Sequence, residues 1–315
     1  MDSLKKCTHC HKCRDNCDFL SKYGIDICDT QRLKELAFHC FLCGRCTQIC
    51  PVGIDGRGII LSFRRESDED KEGRYRSLLA EKRNYRYRNW KGSREGAVFF
   101  PGCNFPSLYP RTNKKLVKLF ADNGIGTVYE CCGKPVAEIG LKDDEDRIIA
   151  EIKEKLSERK ITEIITACPN CRDFFSDRLG VQIVSVYAKL AELGAGKAIN
   201  EDITLYIPCP DRRSKIWIEE FRAFINGRIY FNDSAQCCGL GGSAAVYEPD
   251  IADGFTDKLR RSADTHLYTY CASCMGRFYR CGFKSIDHIL PLILGVDEQP
   301  DTRKSYINRV LTKIK

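Results

Sequence analysis

Cys131-Cys132-Gly133 recurs 106 residues further on as Cys237-Cys238-Gly239, and the cysteines around each copy recur with it. Cys103 matches Cys209 at the same offset of 106, and Cys168-x-x-Cys171 matches Cys271-x-x-Cys274 at an offset of 103. Such regular spacing marks an internal repeat. Each copy opens with a short apolar strand, Ala97-Val98-Phe99-Phe100 or Ile203-Thr204-Leu205-Tyr206-Ile207, that runs into a proline and then a cysteine. A helical stretch follows, carrying Leu116, Leu119 and Phe120 in the first copy and Trp217, Phe221 and Phe224 in the second; Gly124 or Gly227 closes it. After the first double cysteine, Ile148, Ile149, Ile152 and Leu156 share one face of a helix that starts at Asp143 or Asp144. A strand, Ile164–Ala167 or Leu267–Tyr270, then leads into the CxxC. This alternation predicts an α/β fold of two small pseudo-symmetric units, residues 96–200 and 201–315, the second with a C-terminal tail. Chemistry in such units gathers at strand ends. Cys103, Cys168, Cys209 and Cys271 all follow strands, so packing the halves together would bring two five-cysteine sites to one region.

Residues 1–62 have a different texture, with Cys7-x-x-Cys10-x-x-Cys13-x-x-x-Cys17 and Cys40-x-x-Cys43-x-x-Cys46-x-x-x-Cys50-Pro51. Three cysteines two residues apart wrap one corner of a cubane, and the fourth points to the other cluster. The spacing therefore assigns Cys7, Cys10, Cys13 and Cys50 to one [4Fe–4S] cluster, and Cys40, Cys43, Cys46 and Cys17 to a second. The first motif departs from the pattern at Asp18, where the second has Pro51. CxxC is also a zinc pattern, but the doubled CxxCxxCxxxC suits zinc poorly. Leu33, Leu36 and Ala37 predict a helix within Ile27–Phe41, spacing the clusters in a mainly α-helical ferredoxin-like domain. His9, His11 and His39 flank ligands and read as solvated or hydrogen-bonding groups. Cys28 reads as a small apolar packing residue.

Residues 63–95 contain no cysteine and are mostly charged, so they read as an exposed helix or linker, with basic density over Arg74–Lys91. The formal charge of +8 comes with no zinc-finger or RNA-binding motif, so an anionic substrate or acidic partner is preferred to nucleic acid. No run of about 18 apolar residues appears, and Met1–Cys7 lacks a signal peptide's apolar stretch. The expected location is the cytoplasm, or the inner face of the membrane through a partner. There a structural disulfide scaffold is disfavoured, and neighbours such as Cys131 and Cys132 pair only under strain. The 20 cysteines therefore point to metal or cluster ligation.

Each repeat offers five thiols: Cys103, Cys131, Cys132, Cys168 and Cys171, then Cys209, Cys237, Cys238, Cys271 and Cys274. Five exceed what one zinc ion or one cubane takes, whereas a larger or opened cluster would use them all. Gly133 and Gly239 allow close backbone approach to an inorganic core. Phe100-Pro101-Gly102-Cys103, Ala167-Cys168-Pro169-Asn170-Cys171, Cys237-Cys238-Gly239-Leu240-Gly241-Gly242 and Cys271-Ala272-Ser273-Cys274, together with the first double cysteine, resemble the catalytic subunit of the heterodisulfide reductase family. The N-terminal part is similar to that family's small ferredoxin subunit, and the fusion resembles its membrane-linked form. The resemblance implies a noncubane [4Fe–4S] cluster on all five cysteines of each repeat. It also implies a disulfide between the two clusters, reduced by two electrons and two protons to two thiols. Pro208-Cys209-Pro210-Asp211-Arg212-Arg213 departs from the family, in which a histidine commonly follows the cysteine. Arg212 and Arg213 are either a solvated pair or a grip on an anionic substrate group. Cys281 is surplus.

Gly239-Leu240-Gly241-Gly242 lacks the strand–GxGxxG–helix context of a nucleotide loop, and no flavin or nicotinamide fingerprint occurs elsewhere. Electrons must therefore come from a partner, expected to be a flavoprotein or a membrane cytochrome b, within a hetero-oligomeric complex. The first reading is an oxidoreductase acting on a sulfur group, a disulfide reductase of anaerobic chemistry. The alternative is an electron-transfer subunit of a flavin-dependent dehydrogenase linked to quinone. A third reading keeps structural zinc in one repeat.

Overall fold

The computed structural model describes residues 2–314. Two four-stranded parallel sheets carry the repeats. The first contains β1 (Gly96–Phe100), β2 (Gly126–Thr127), β3 (Ile161–Thr166) and β4 (Gln182–Ser185) in the order β2-β1-β3-β4. The second contains β5 (Ile203–Leu205), β6 (Ile229–Phe231), β7 (Leu267–Thr269) and β8 (Ile286–His288) in the order β6-β5-β7-β8. The two orders are the same topology, so the repeat in the cysteines is a repeat in strand pairing. Val98 pairs with Gly126 on one side and Ile164 on the other, as Leu205 pairs with Phe231 and Tyr268.

Parallel neighbours need long crossovers, and helices supply them. Before the first sheet come α1 (Gly56–Glu66) and α2 (Arg76–Lys82). The first repeat adds α3 (Pro110–Asp122), α4 (Lys142–Glu158) and α5 (Pro169–Phe175); the second adds α6 (Ile216–Phe221), α7 (Pro249–Ser262), α8 (Ala272–Arg280) and α9 (Ser305–Ile314). Pro110 and Pro249 start their helices where the missing N–H costs nothing. Asp143, Asp144 and Glu145 occupy the first turn of α4, favoured by the helix dipole, and Ile148, Ile152 and Leu156 are buried along it. A shared apolar core joins the repeats. Tyr187 of the first repeat meets Trp217 and Phe221 of the second edge-on, with ring centroids 5.7 and 5.3 Å apart.

The N-terminal region is built of short helices. The expected helix within Ile27–Phe41 is broken into Thr30–Glu35 and one 3-10 turn, Ala37–His39. The buried guanidinium of Arg64 explains the break. Its Nε donates to Ala37 O at 3.0 Å and its Nη2 to Cys40 O at 2.7 Å, so these carbonyls turn to Arg64. Nη1 also donates to Glu138 O at 2.6 Å and Gly242 O at 2.8 Å, tying the N-terminal region to both repeats. Gly242 is a glycine for the same contact: a Cβ there would lie 2.7 Å from Cys40 O and 3.0 Å from Arg64 Nη1 and Nη2, and one on Gly241 would run into Phe41 O.

The charged stretch is not a solvated linker. Tyr75, Leu79, Tyr85, Tyr87 and Trp90 are buried: Tyr75, Leu79 and Trp90 join a core cluster with the first repeat, and Tyr85 and Tyr87 pack with Cys131. Asn89 and Tyr129 exchange two backbone hydrogen bonds of 2.8 Å. Among the described residues no helix is long and apolar enough to cross a membrane.

Candidate cluster and substrate site

The eighteen motif cysteines fall into four groups. Cys7, Cys10, Cys13 and Cys50 line one small hollow near the surface, the outer set. Cys17 is not there. It lies with Cys40, Cys43 and Cys46, where each thiol feels its neighbours' charge, and this is the inner set. Burial first, then Cys17 for Cys40 and Cys209 followed by Cys17 for Cys43, pushes both thiols up to about 12. Both motifs wrap the same way, since His9 and His11 around Cys10, and Leu42 and Gly44 around Cys43, all have φ between 50° and 72°. Three of these four carry side chains in the left-handed region, a strain that persists where the surroundings impose it. Gly56 opens α1 against the inner set, and a Cβ there would lie 2.6 Å from Cys46 Sγ. Backbone N–H groups of Leu42 and Ile54 point at Cys40 Sγ and Cys50 Sγ, at 3.4 and 3.3 Å.

The ten remaining motif cysteines stand at the carboxyl ends of parallel strands. Cys103, Cys131 and Cys168 follow β1, β2 and β3; Cys209, Cys237 and Cys271 follow β5, β6 and β7. Cys132 is drawn down by S–H donation from Cys131 and Cys171, and Cys238 in the same way by Cys237 and Cys274. The two thiol sets thus share one internal pattern as well as one topology. A Cβ on Gly102 would lie 3.2 Å from Cys168 Cβ and from Cys171 Sγ, so glycine clears the mouth of the first set. Five thiols per set, with adjacent pairs converging, fit a sulfur-ligated iron cluster by donor chemistry.

One cavity of about 330 Å³ lies between the sets, and its wall includes Cys103, Cys132, Cys168 and Cys171 from one and Cys209, Cys237, Cys238 and Cys274 from the other. Cys43 of the inner set also lines it, so three of the four groups meet here. Phe41, Leu42, Leu78 and Leu240 supply apolar wall; Lys82, Lys134, Asn104, Asn170 and Ser273 supply polar groups. A second hollow of about 380 Å³ shares Cys43, Lys134, Glu138, Cys209 and Pro210 with it and is lined further out by Arg57, Arg178 and Arg213. The loops of the two repeats hold one another: Asn104 Nδ2 donates to Ser273 Oγ at 2.7 Å, and Asn170 Nδ2 reaches Cys271 Sγ at 3.7 Å.

Lys82 was hidden by its position in the charged stretch. Burial works against its charge, but Cys103, Cys131 and Glu81 outweigh burial and its pKa is raised. Lys134 follows the first CCG directly, where the second repeat has Leu240, and this asymmetry was its visible signal. Arg212 is not a solvated surface residue. It is buried and donates to Ile207 O at 3.0 Å, Ala235 O at 2.8 Å and the Tyr206 hydroxyl at 3.1 Å, and also to Gln236 O. Both arginines of the pair border the second hollow, but the donors of Arg212 are committed to this structural role. Cys28 does not pack as an apolar residue. It is half-buried, with its sulfur 3.5 Å from His9 Nδ1, and together with Cys7 and His9 forms a group whose ligand atoms lie within 4.8 Å of one another. Cys281 lies 3.8 Å from Asp253, away from the four groups. His11 pairs with Asp26 at 2.5 Å, and His39 pairs with the buried Glu248 at 2.6 Å.

Residues 97–176 and 224–279 match the family model of the cysteine-rich (CCG) domain. An uncharacterized iron–sulfur protein of Methanococcus maripaludis is 20% identical, covering 78% of this chain and 57% of that protein. One from Methanocaldococcus jannaschii is 22% identical, covering 70% and 51%. A subunit of the fumarate reductase (CoM/CoB) of Methanothermobacter marburgensis is 22% identical, covering 86% and 66%. The chain thus spans between half and two thirds of the length of these curated relatives. Both repeats thus carry matches to the cysteine-rich (CCG) domain, and the chain is similar to proteins named as iron–sulfur proteins.

Proposed function

We propose that the chain is an iron–sulfur disulfide reductase, with two cubane [4Fe–4S] clusters on the outer and inner sets and two noncubane [4Fe–4S] clusters on the five-thiol sets. The observation that carries this reading is the single cavity walled by both five-thiol sets and by Cys43. When bound, the clusters would supply one-electron chemistry and open iron coordination for a substrate sulfur.

The chain's own residues do the rest. Phe41, Leu78 and Leu240 give the cavity an apolar wall. Lys82 Nζ places positive charge beside Cys103 and Cys131, and Lys134 Nζ places it at the junction of the two hollows. These ammonium groups, with Arg213 further out, favour a disulfide with an anionic arm, while Arg57 and Arg178 are paired with Glu138, Asp173 and Glu145. Asn104, Asn170 and Ser273 fix the two loops at a set spacing. Electrons arrive from a partner protein, a flavoprotein or membrane cytochrome b, in a hetero-oligomeric complex in or against the cytoplasmic side.

A second reading has one specific support. The Methanothermobacter relative is named as a subunit of a fumarate reductase, which favours this chain as the iron–sulfur subunit of a larger dehydrogenase or reductase. Anaerobic purification tests the cluster assignment. The expected content is about sixteen iron per chain, four per cluster, bleaching in air. A value of about eight with stoichiometric zinc would reject the noncubane centres. Cluster-replete protein that reduces no anionic disulfide but passes electrons to a flavoprotein would favour the second reading.

A further inference from the structure

Gln236, the residue before Cys237, is buried, and its side chain crosses from the second repeat into the inner set. Its Nε2 lies 3.4 Å from Cys17 Sγ and 3.7 Å from Cys43 Sγ. An amide can turn either its NH2 or its carbonyl oxygen toward a sulfur, with opposite electrostatic effect. Here the orientation is fixed, because Oε1 accepts the backbone N–H of Asp18 at 2.9 Å. Asp18 is the position where the second motif has Pro51, and a proline would have no N–H to give. The Asp18 carboxylate is engaged separately, with Lys258 Nζ 2.7 Å from each oxygen. The main-chain oxygen of Gln236 lies 3.9 Å from Cys209 Sγ, so one residue touches both the inner set and the second repeat's thiols.

The outer set also accepts a backbone N–H, from Ile54 to Cys50 Sγ, but it differs in having a carboxylate against one of its sulfurs. Asp26, buried and paired with His11, holds a carboxylate oxygen 3.5 Å from Cys13 Sγ. A nearby carboxylate disfavours added negative charge, and an N–H aimed at sulfur favours it. Hydrogen bonds to the sulfurs and local charge are among the factors that set cluster potentials.

We propose that Gln236, oriented by the Asp18 N–H, is a positioning residue that raises the reduction potential of the inner cubane, which favours electron flow from the outer set inward to the second repeat. The inference rests on the cubane assignment above. The transfer moves one electron: the outer centre is oxidised by one, the inner centre is reduced by one, and no bond or proton moves. The outer centre is reduced in turn by the partner electron donor.

An EPR-monitored redox titration of the full chain, prepared anaerobically, tests this. In Gln236→Leu the midpoint potential of the inner centre should fall while the outer stays. Asp18→Pro should lower the inner midpoint too, because the amide loses its anchor; residue 18 is the first of its helix, where proline is tolerated. Asp18→Ala keeps the N–H and loses the same carboxylate, so its inner midpoint should not fall, and it is the reference below which Asp18→Pro should lie. An unchanged inner midpoint in Gln236→Leu with full iron, or an equal shift of both centres, overturns the inference. If Gln236→Leu fails to assemble its inner centre, Asp18→Pro decides by the same criterion. A wild-type chain without iron on these sets defeats the cubane assignment itself, a different outcome from an unmoved midpoint.

Discussion

Lys134 Nζ donates to Asn170 Oδ1 at 2.6 Å, joining the residue after the first CCG to the interior of the first CxxC. Lys134 is buried, and its two carboxylate neighbours, Glu138 and Asp173, are both 3.8 Å away. The ammonium therefore has one close neutral partner and charge left to offer across the junction of the two hollows.

Replacing Lys134 with methionine keeps the apolar stem and removes that charge. A hydrogen bond to a charged group is worth about 1.5–3 kcal/mol. KM for an anionic disulfide should thus rise about ten- to a hundredfold, with kcat changed much less. An uncharged dialkyl disulfide serves as the control and should show no such rise. An equal loss for both substrates would mean that Lys134 only holds the loop.

The placement of Cys17 makes a second prediction. It sits in the first motif by sequence but beside Cys40 and Cys43 in space. Cys17→Ser should therefore alter the EPR signal of the centre built on the second motif and leave the other intact. The reverse result would sink the assignment.

Much of this arrangement could be read from the sequence, because cysteines recurring at a fixed offset mark a repeat of the elements that carry them. The offsets of Cys103, Cys131 and Cys168 from their partners gave the repeat, and its strands and helices fell within a few residues of the expected ones. Lys82, Gln236 and Arg64 were not legible. Each acts across the fold, and pattern within a segment carries no trace of a partner far along the chain. The charged stretch misled for a related reason: the burial of Tyr75, Leu79 and Trp90 depends on a sheet formed later in the chain. Arg212 misled because a charge pair in a loop normally faces water.

Arg64 supports a prediction about assembly. Its guanidinium serves four carbonyls drawn from the N-terminal region and both repeats. Arg64→Met would leave those buried oxygens unpaired, at about 1–3 kcal/mol each where no water replaces the donor. The apparent melting temperature of the cluster-loaded chain should fall by several degrees. Limited proteolysis should then cut first between residues 63 and 95. A variant as stable as wild type would show that water takes over the four bonds.

His288 ends β8 and is nearly inaccessible, with Phe105 and Tyr109 rings 5.6 and 5.1 Å from its own. Its Nδ1 accepts the backbone N–H of Leu290 at 3.2 Å, which places the proton of the neutral ring on Nε2, and Nε2 has no partner among the described residues. Burial lowers its pKa from 6.5 to about 3. The unfolded chain therefore takes up a proton below about pH 6.5 that the folded chain refuses. The stabilising contribution of the neutral ring is complete above that pH. It is lost as pH falls toward 3, at up to about 1.4 kcal/mol per unit. Asparagine can accept the Leu290 N–H but does not titrate, so His288→Asn should remove this part of the acid sensitivity. Unfolding of the two proteins should be compared at pH 7.5, 6 and 5 (about one unit apart or more, to resolve the slope). The wild type should lose ground to the variant only on the acid side, and parallel curves across the range would show that His288 is already accessible to protons in the folded state.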